Sequence, residues 1–305
     1  MKGIELSERY FTEYGLPMLR AEFPMLLDKA AAGVCGPGSE NYGFDDEISR
    51  DHDFDPGFYV WLNEADYKEY GFRLARAYDR LPETFMGVKL IGKSAYETAR
   101  HGVRETGAFF SGLTGFSGVP QTNLQWLSVP SLRLANAVNG KIFYDGGGEV
   151  TALREGLSKM PADVKLKKLA RATVFAAQAG QYNYARARKH GEDGAAVLSL
   201  TEFAKNLCEA VYLLNDRYCP FYKWMFAGAR TLPVLGEAVN MTEALLKAPL
   251  AAENEALIEQ VSAKLIAELK ARGLSDHPSD FLEPHAYEIA EKIKDPALRR
   301  LHIMD

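Results

Sequence analysis

Apolar positions follow two different rhythms along this chain. Up to about residue 150, short apolar runs and alternating segments stand between helical ones; beyond it only the helical spacing is left. Leu6, Tyr10, Tyr14, Leu19, Phe23 and Leu26 trace one helical face over residues 5–29, interrupted by Pro17 and Pro24. Residues 31–35 read as a short buried strand. Residues 53–62 read as a second, with Phe54, Phe58, Val60 and Leu62 on one parity and Asp53 on the other, with Asp51. A helix capped by Asn63 or Asp66 is expected to run to about residue 80, where Pro82 stops it. Residues 85–91 and 101–110 read as further strands around a short helix at 94–100. A glycine-rich loop follows at 112–120, then a helix at 126–138 whose main part Pro130 starts. A strand at 142–144 ends in the turn Asp145-Gly146-Gly147-Gly148.

From Val150 onward, residues 153–160, 162–188, 195–215, 220–229, 232–246, 251–272 and 280–293 all carry helical spacing. The expected class is therefore α+β: a mixed sheet with flanking helices, followed by a helical bundle, with the division drawn at 1–150 and 151–305. Lys165, Lys167 and Lys168 read as a solvated helix face.

Composition narrows the function classes. The 305 residues are 47% hydrophobic and 25% charged, as in an ordinary globular protein. A net charge of −5 argues against nucleic acid as a general partner, which calls for a basic face. No apolar run has the length of a membrane span. Cys35, Cys208 and Cys219 have no CxxC spacing, and the six histidines no HxxxH or HExxH spacing, so no zinc site is expected. An odd cysteine count without a secretory signal points to the cytoplasm.

The chemistry concentrates between residues 36 and 53, Gly-Pro-Gly-Ser-Glu-Asn-Tyr-Gly-Phe-Asp-Asp-Glu-Ile-Ser-Arg-Asp-His-Asp. Gly38 lets the backbone leave a strand in a conformation that a Cβ forbids. Ser39 can stand at a helix start, where free N–H groups favour an anion. Asp51 and Asp53, two apart, share one face of an extended strand and repel each other unless a cation lies between them. Oxygen-only ligation suits Mg²⁺ or Mn²⁺ with substrate phosphates.

This run resembles the Gly-Ser…Asp-x-Asp signature of the DNA polymerase β-like nucleotidyltransferase superfamily. Ser39, Gly43 and Ser49 match the pattern, and Arg50 is one residue more than it has. The longer run from Gly43 to Asp53 resembles an uncharacterised bacterial nucleotidyltransferase-like family, whose helical region is similar to that of aminoglycoside (kanamycin) nucleotidyltransferases. Residues 140–145 are similar to the stretch that closes the catalytic domain in those relatives, and residues 180–188 and 213–224 resemble segments of the uncharacterised family.

The resemblance implies a first domain that is catalytic and a second that binds substrate or a partner. It implies Asp51 and Asp53 as metal ligands, Glu105 on a neighbouring strand as a third acid, and Gly38 and Ser39 at the nucleotide phosphates. Arg186, one turn from Tyr182, and Lys223, beside Trp224, are further candidates for the phosphates. Glu209 and Asp216 are candidates for the base that activates the acceptor. The partners implied are a nucleoside triphosphate and a small hydroxylated acceptor, with neither membrane nor nucleic acid. A homodimer is one arrangement such enzymes use. The alternative is a catalytically silent nucleotide-binding or regulatory protein of the same fold.

Overall fold

A computed structural model describes residues 1–48, 54–90 and 101–305. The chain forms two compact units. The first comprises residues 1–120 and 132–159, the second 121–131 and 160–305. The class is α+β.

In the first unit, the 5–29 stretch divides as its prolines and Gly15 dictate. Helix α1 (Gly3–Tyr10) passes through one π-turn at residues 11–15 into α2 (Leu16–Glu22), and Pro24 opens a separate 3₁₀ turn. Strand β1 (Ala31–Val34) is buried along its whole length. Strand β2 (Tyr59–Leu62) begins six residues later than the alternation suggested. The Asp55 carboxylate turns back to accept the Gly57 N–H at 2.7 Å, and Pro56 has no N–H to offer a neighbouring strand. The expected helix follows as α3 (Glu64–Tyr78), with Asn63 as its cap accepting from Asp66 N–H at 2.9 Å.

The next expected strand is a two-residue hairpin, β3 (Thr84–Phe85) and β4 (Val88–Lys89). Met86 and Gly87 turn it with φ of 50° and 82°. The helix expected at 94–100 lies outside the described residues. The strand expected over 101–110 is only half a strand. It consists of β5 (Gly102–Glu105) and then helix α4 (Thr106–Thr114). Glu105 makes the switch, because its carboxylate accepts the backbone N–H groups of Gly107 and Ala108. The chain next gives α5 (Asn123–Ser128) to the second unit. It returns with α6 (Ser131–Val138), strand β6 (Lys141–Asp145) and α7 (Glu149–Ser158).

The four-stranded sheet runs β5-β2-β1-β6. Strand β1 is antiparallel to both neighbours, and β2 is parallel to β5. This mixed order matters for the site. The C-terminal end of β1, the N-terminal ends of β2 and β5 and the start of β6 all meet at one end of the sheet. One face carries Val60, Leu62 and Val103 into a core with Leu6, Tyr10, Leu19 and Leu74. Tyr10, Phe58 and Tyr78 pack through it with tilted and edge-to-face rings, at centroid distances of 5.8 Å and 4.9 Å.

The second unit is helical throughout: α8 (Ala162–Ala176), a π-stretch at residues 177–184, α9 (Ala185–Lys189), α10 (Asp193–Leu214), α11 (Tyr222–Ala229), α12 (Gly236–Lys247), α13 (Asn254–Ala271), α14 (Leu282–Glu291) and α15 (Pro296–Arg299). Its core is packed chiefly by α8, α10, α13 and α14. The lysine run on α8 is not a solvated face. Lys167 is 1% exposed and gives its ammonium to the Leu301 and His302 carbonyls. Lys168 reaches the Val129 carbonyl at 3.0 Å. Carbonyls left open where the chain ends a helix or turns are good ammonium acceptors, and the aliphatic stems fill core space. Burial holds both ammonium groups below the usual lysine range.

All three cysteines are buried and free. Burial pushes the Cys35 and Cys208 thiols up to about 12, and Cys219 well above its ordinary value. Ellman's reagent at pH 8 is therefore expected to find no thiol in the native protein and all three in denaturant. Fast native reaction of one thiol would refute this packing.

Candidate functional site

The sheet order assembles the site. After β1, the chain turns through Gly36 and Gly38, at φ of 115° and 139°. The backbone needs glycine there, since side chains seldom adopt that region. Asn139, just before β6, clamps the turn by accepting the Gly36 N–H at 2.9 Å and donating to the Gly36 carbonyl at 2.8 Å. The Asn41 amide donates to the same carbonyl at 3.3 Å. Arg154 of α7 lies behind the turn and donates to the Val138 and Asn139 carbonyls at 2.8 Å and 2.5 Å.

The helix start expected at Ser39 is a single 3₁₀ turn, Glu40–Tyr42, closed by Gly43 at φ 74°. Ser39 makes no side-chain cap. So short a turn builds almost no macrodipole, and anion attraction by a helix end is lost as an argument for this loop. The neighbouring Asp45 is committed to the fold. Its Oδ2 accepts the Gly3 N–H at 2.8 Å, and its Oδ1 lies 3.4 Å from the Lys2 ammonium.

A cavity of about 440 Å³ opens beside this loop, wholly within the first unit. Cys35, Pro37, Glu40 and Asn41 line it from the loop side. Asp55 and Gly57 line it from the segment before β2, Tyr59 from β2, His101 from the residue before β5, Arg104 from β5, and Phe109 and Leu113 from α4. Its central contact joins Asp55 to His101. Each residue precedes one of two parallel neighbouring strands, so positions 46 apart in sequence meet at the same sheet end. His101 Nε2 is 2.7 Å from Asp55 Oδ2, and the Asp55 side chain is 1% exposed. The imidazole lies flat over Gly57, where any Cβ would overlap the ring.

A carboxylate at Nε2 fixes the proton on that nitrogen. Nδ1 then carries the lone pair. It has no hydrogen-bond partner among the described residues, and His101 lines the cavity. Arg104 supplies positive charge, its guanidinium 5.9 Å from the centre of the Tyr59 ring. Tyr59 and Phe109 form an aromatic wall, with centroids 4.8 Å apart.

The expected residues fall as follows. Gly38 and Ser39 lie in the loop beside the cavity. Asp51 and Asp53 lie outside the described residues. Glu105 closes β5 opposite Leu62, at the end of the strand away from His101, and its carboxylate caps α4. At this position, expected to hold a third acid, the carboxylate is engaged with the Gly107 and Ala108 N–H groups. Arg186 and Lys223 are exposed on the second unit, and Arg186 lies 5.1 Å from the centre of the Tyr182 ring, as their one-turn spacing required. Phe221 and Tyr222 are 40% and 65% exposed, with ring centroids 4.1 Å apart and the planes tilted by 44°. Of the two acids considered as bases, Glu209 accepts from Ser131, and Asp216 pairs with Lys165 at 2.6 Å.

Sequence reasoning missed Asp55 and His101. Asp55 continues the every-second-residue acid series 51, 53, 55, which was the available signal. Nothing local marked His101, because only the parallel pairing of β2 and β5 gives it a partner.

Residues 126–225, about a third of the chain, match the model of a domain of unknown function (DUF4037). Among solved structures, the chain is similar to a nucleotidyltransferase-like protein from Exiguobacterium sibiricum 255-15. The TM-score is 0.37 at 13% identity, with 95% of this chain and 81% of that chain covered. Neither comparison carries a likeness to kanamycin-type enzymes. No curated protein matches the chain.

Proposed function

We propose that this protein transfers a nucleotidyl group from a nucleoside triphosphate to a small hydroxylated acceptor, with the aid of a divalent cation. One observation carries the proposal. The Gly36–Asn41 loop, the segment entering β2 and the Asp55–His101 pair surround a single cavity at one end of the sheet. The resemblance of residues 38–53 to a nucleotidyltransferase signature supports the same reading.

The donor chemistry suits the cation. Among the described residues no three His, Cys, Asp or Glu side chains converge on a metal position. The cavity does show the carboxylates of Glu40 and Asp55 and the Asn41 amide oxygen, which is buried with no hydrogen-bond partner among the described residues. An all-oxygen set fits Mg²⁺ or Mn²⁺. Asp51 and Asp53 are the assigned ligands. The bound ion would neutralise phosphate charge and ease the departure of pyrophosphate.

The protein's own groups then have separate tasks. Gly38 and Ser39 let the polyphosphate approach the backbone closely. Arg104 offsets its charge from β5. Tyr59 and Phe109 present faces on which a base can stack. His101 Nδ1 takes the proton of the acceptor hydroxyl as its oxygen bonds to the α-phosphorus and the bond to pyrophosphate breaks. Asp55 holds the imidazole in the required tautomer and steadies the cation that forms. The free, buried thiols agree with a reducing cytoplasm. Among the described residues no helix is long and apolar enough to cross a membrane.

The second reading is a nucleotide-binding protein without turnover. The short turn at Ser39 favours it, since such a loop offers a polyphosphate few oriented N–H groups. Thermal shift with ATP, GTP, CTP and UTP, with and without Mg²⁺, separates the readings together with pyrophosphate release. A transferase should be stabilised by one nucleotide with metal, by about 2.7 kcal/mol at a hundredfold excess over Kd. Asp51→Asn and Asp53→Asn should each abolish that shift while leaving the unliganded melting temperature within a few degrees. Two variants that bind Mg-nucleotide like the parent would overturn the metal assignment.

A further inference from the structure

The short turn at Ser39 leaves the loop without a helix end to attract an anion. A positive charge stands behind the loop. Arg154 Nη2 donates to the Val138 and Asn139 carbonyls, and the Asn139 amide in turn holds the N–H and carbonyl of Gly36. The other terminal nitrogen of Arg154, Nη1, is buried with no hydrogen-bond partner among the described residues. Asp145 and Glu155, the acids that share the groove between β6 and α7 with Arg154, form no ion pair with it. Carbonyl dipoles hold a guanidinium in place but leave its net charge uncancelled. Burial lowers this guanidinium from its ordinary value, and the Cys35 thiol opposes that change. The same charge is felt at Cys35, where burial pushes the thiol up to about 12 and Arg154 works against the rise. Cys35 lines the cavity, although Arg154 itself does not. The field of the guanidinium therefore reaches the wall on which the loop stands. In a partly enclosed site such a field is screened less than at an open surface.

We propose that Arg154 is a positioning residue whose charge draws the polyphosphate onto the Gly36–Asn41 loop from behind. This rests on the nucleotide reading above and adds to it the group that takes the place of a helix dipole. Arg154 acts without touching the ligand, through the Asn139 and Gly36 backbone. Its effect is therefore electrostatic and grows with the charge of what is bound. A nucleoside, which has no phosphates, is indifferent to it.

The test is calorimetric binding of ATP, GTP, CTP and UTP with Mg²⁺, and of the four matching nucleosides, to the full chain. Arg154→Gln removes the charge and keeps an amide for the carbonyls, whereas Arg154→Lys keeps the charge. Ser158→Glu adds a carboxylate one turn from Arg154 at an exposed position of α7, and it decides the matter if the glutamine variant does not fold. Arg154→Gln should bind the preferred triphosphate roughly tenfold less tightly than the parent, Ser158→Glu roughly fourfold less, and Arg154→Lys within about twofold. All three should bind the matching nucleoside as the parent does. Equal losses for triphosphate and nucleoside, or equal losses in the lysine and glutamine variants, would make Arg154 a support for Asn139 alone and overturn the proposal. An unchanged triphosphate affinity in Arg154→Gln, or in Ser158→Glu where the glutamine variant does not fold, overturns it too. Each of these results leaves the nucleotide reading standing. A parent that binds none of the four triphosphates overturns both.

Discussion

His101→Gln is expected to lower single-turnover release of pyrophosphate by about 10²–10⁴-fold, the usual contribution of a positioned general base. The substitution is chosen for its geometry. A glutamine amide nitrogen reaches about as far as Nε2, so it can still donate to Asp55 Oδ2, which the imidazole meets at 2.7 Å. The buried carboxylate keeps a partner, and the fold avoids the cost of an orphaned charge. What disappears is the Nδ1 lone pair. Affinity for Mg-nucleotide should therefore stay within a few fold, because the base acts on the acceptor proton and not on the polyphosphate. Asp55→Asn should also slow release, by letting the ring turn to the wrong tautomer. A glutamine variant as fast as the parent would remove His101 from the reaction.

Phe203→Ala is expected to destabilise the protein by about 3–5 kcal/mol, the range for deleting a fully buried aromatic side chain. Phe203 of α10 is 0% exposed and sits in the second unit's core. Its ring lies against Gly180 in the π-stretch, where a Cβ would come within 2.8 Å of Cε2. The site is thus filled from both sides, and the cavity left by alanine has no slack neighbour to collapse into it. The converse change, Gly180→Ala, should cost about 1–3 kcal/mol by overpacking. Combining the two should recover part of the loss, since each removes the other's fault. Chemical denaturation of the three variants checks both the sizes and the coupling. Strictly additive effects would show that the ring and the glycine do not touch.

Much of the architecture was legible because periodicity reports burial directly. The helical spacing after residue 150 needs no tertiary information, and the Asn63 cap and the Pro130 helix start are local. The misreadings share one cause, which is that a local pattern serves two structures equally well. Residues 101–110 are apolar enough for a strand throughout, but Glu105 spends its carboxylate on a helix cap and divides them. Lys167 and Lys168 look solvated until the chain end and Val129 bring carbonyls to their ammonium groups. Asp55 looks like one more acid in an acidic run until His101 arrives from the neighbouring strand.

Sequence alone sufficed for the α+β class and for the glycine at 38, which leaves β1 with a positive φ. Those follow from side-chain volume, backbone freedom and the period of apolar residues, all properties of neighbours along the chain. Tertiary structure decided which end of the sheet holds the cavity, that His101 meets Asp55 there and that Arg154 lies behind the loop. It also placed Glu105 at the other end. These outcomes depend on strand order and direction, and strand pairing is a relation between residues far apart in the chain, which no local pattern encodes.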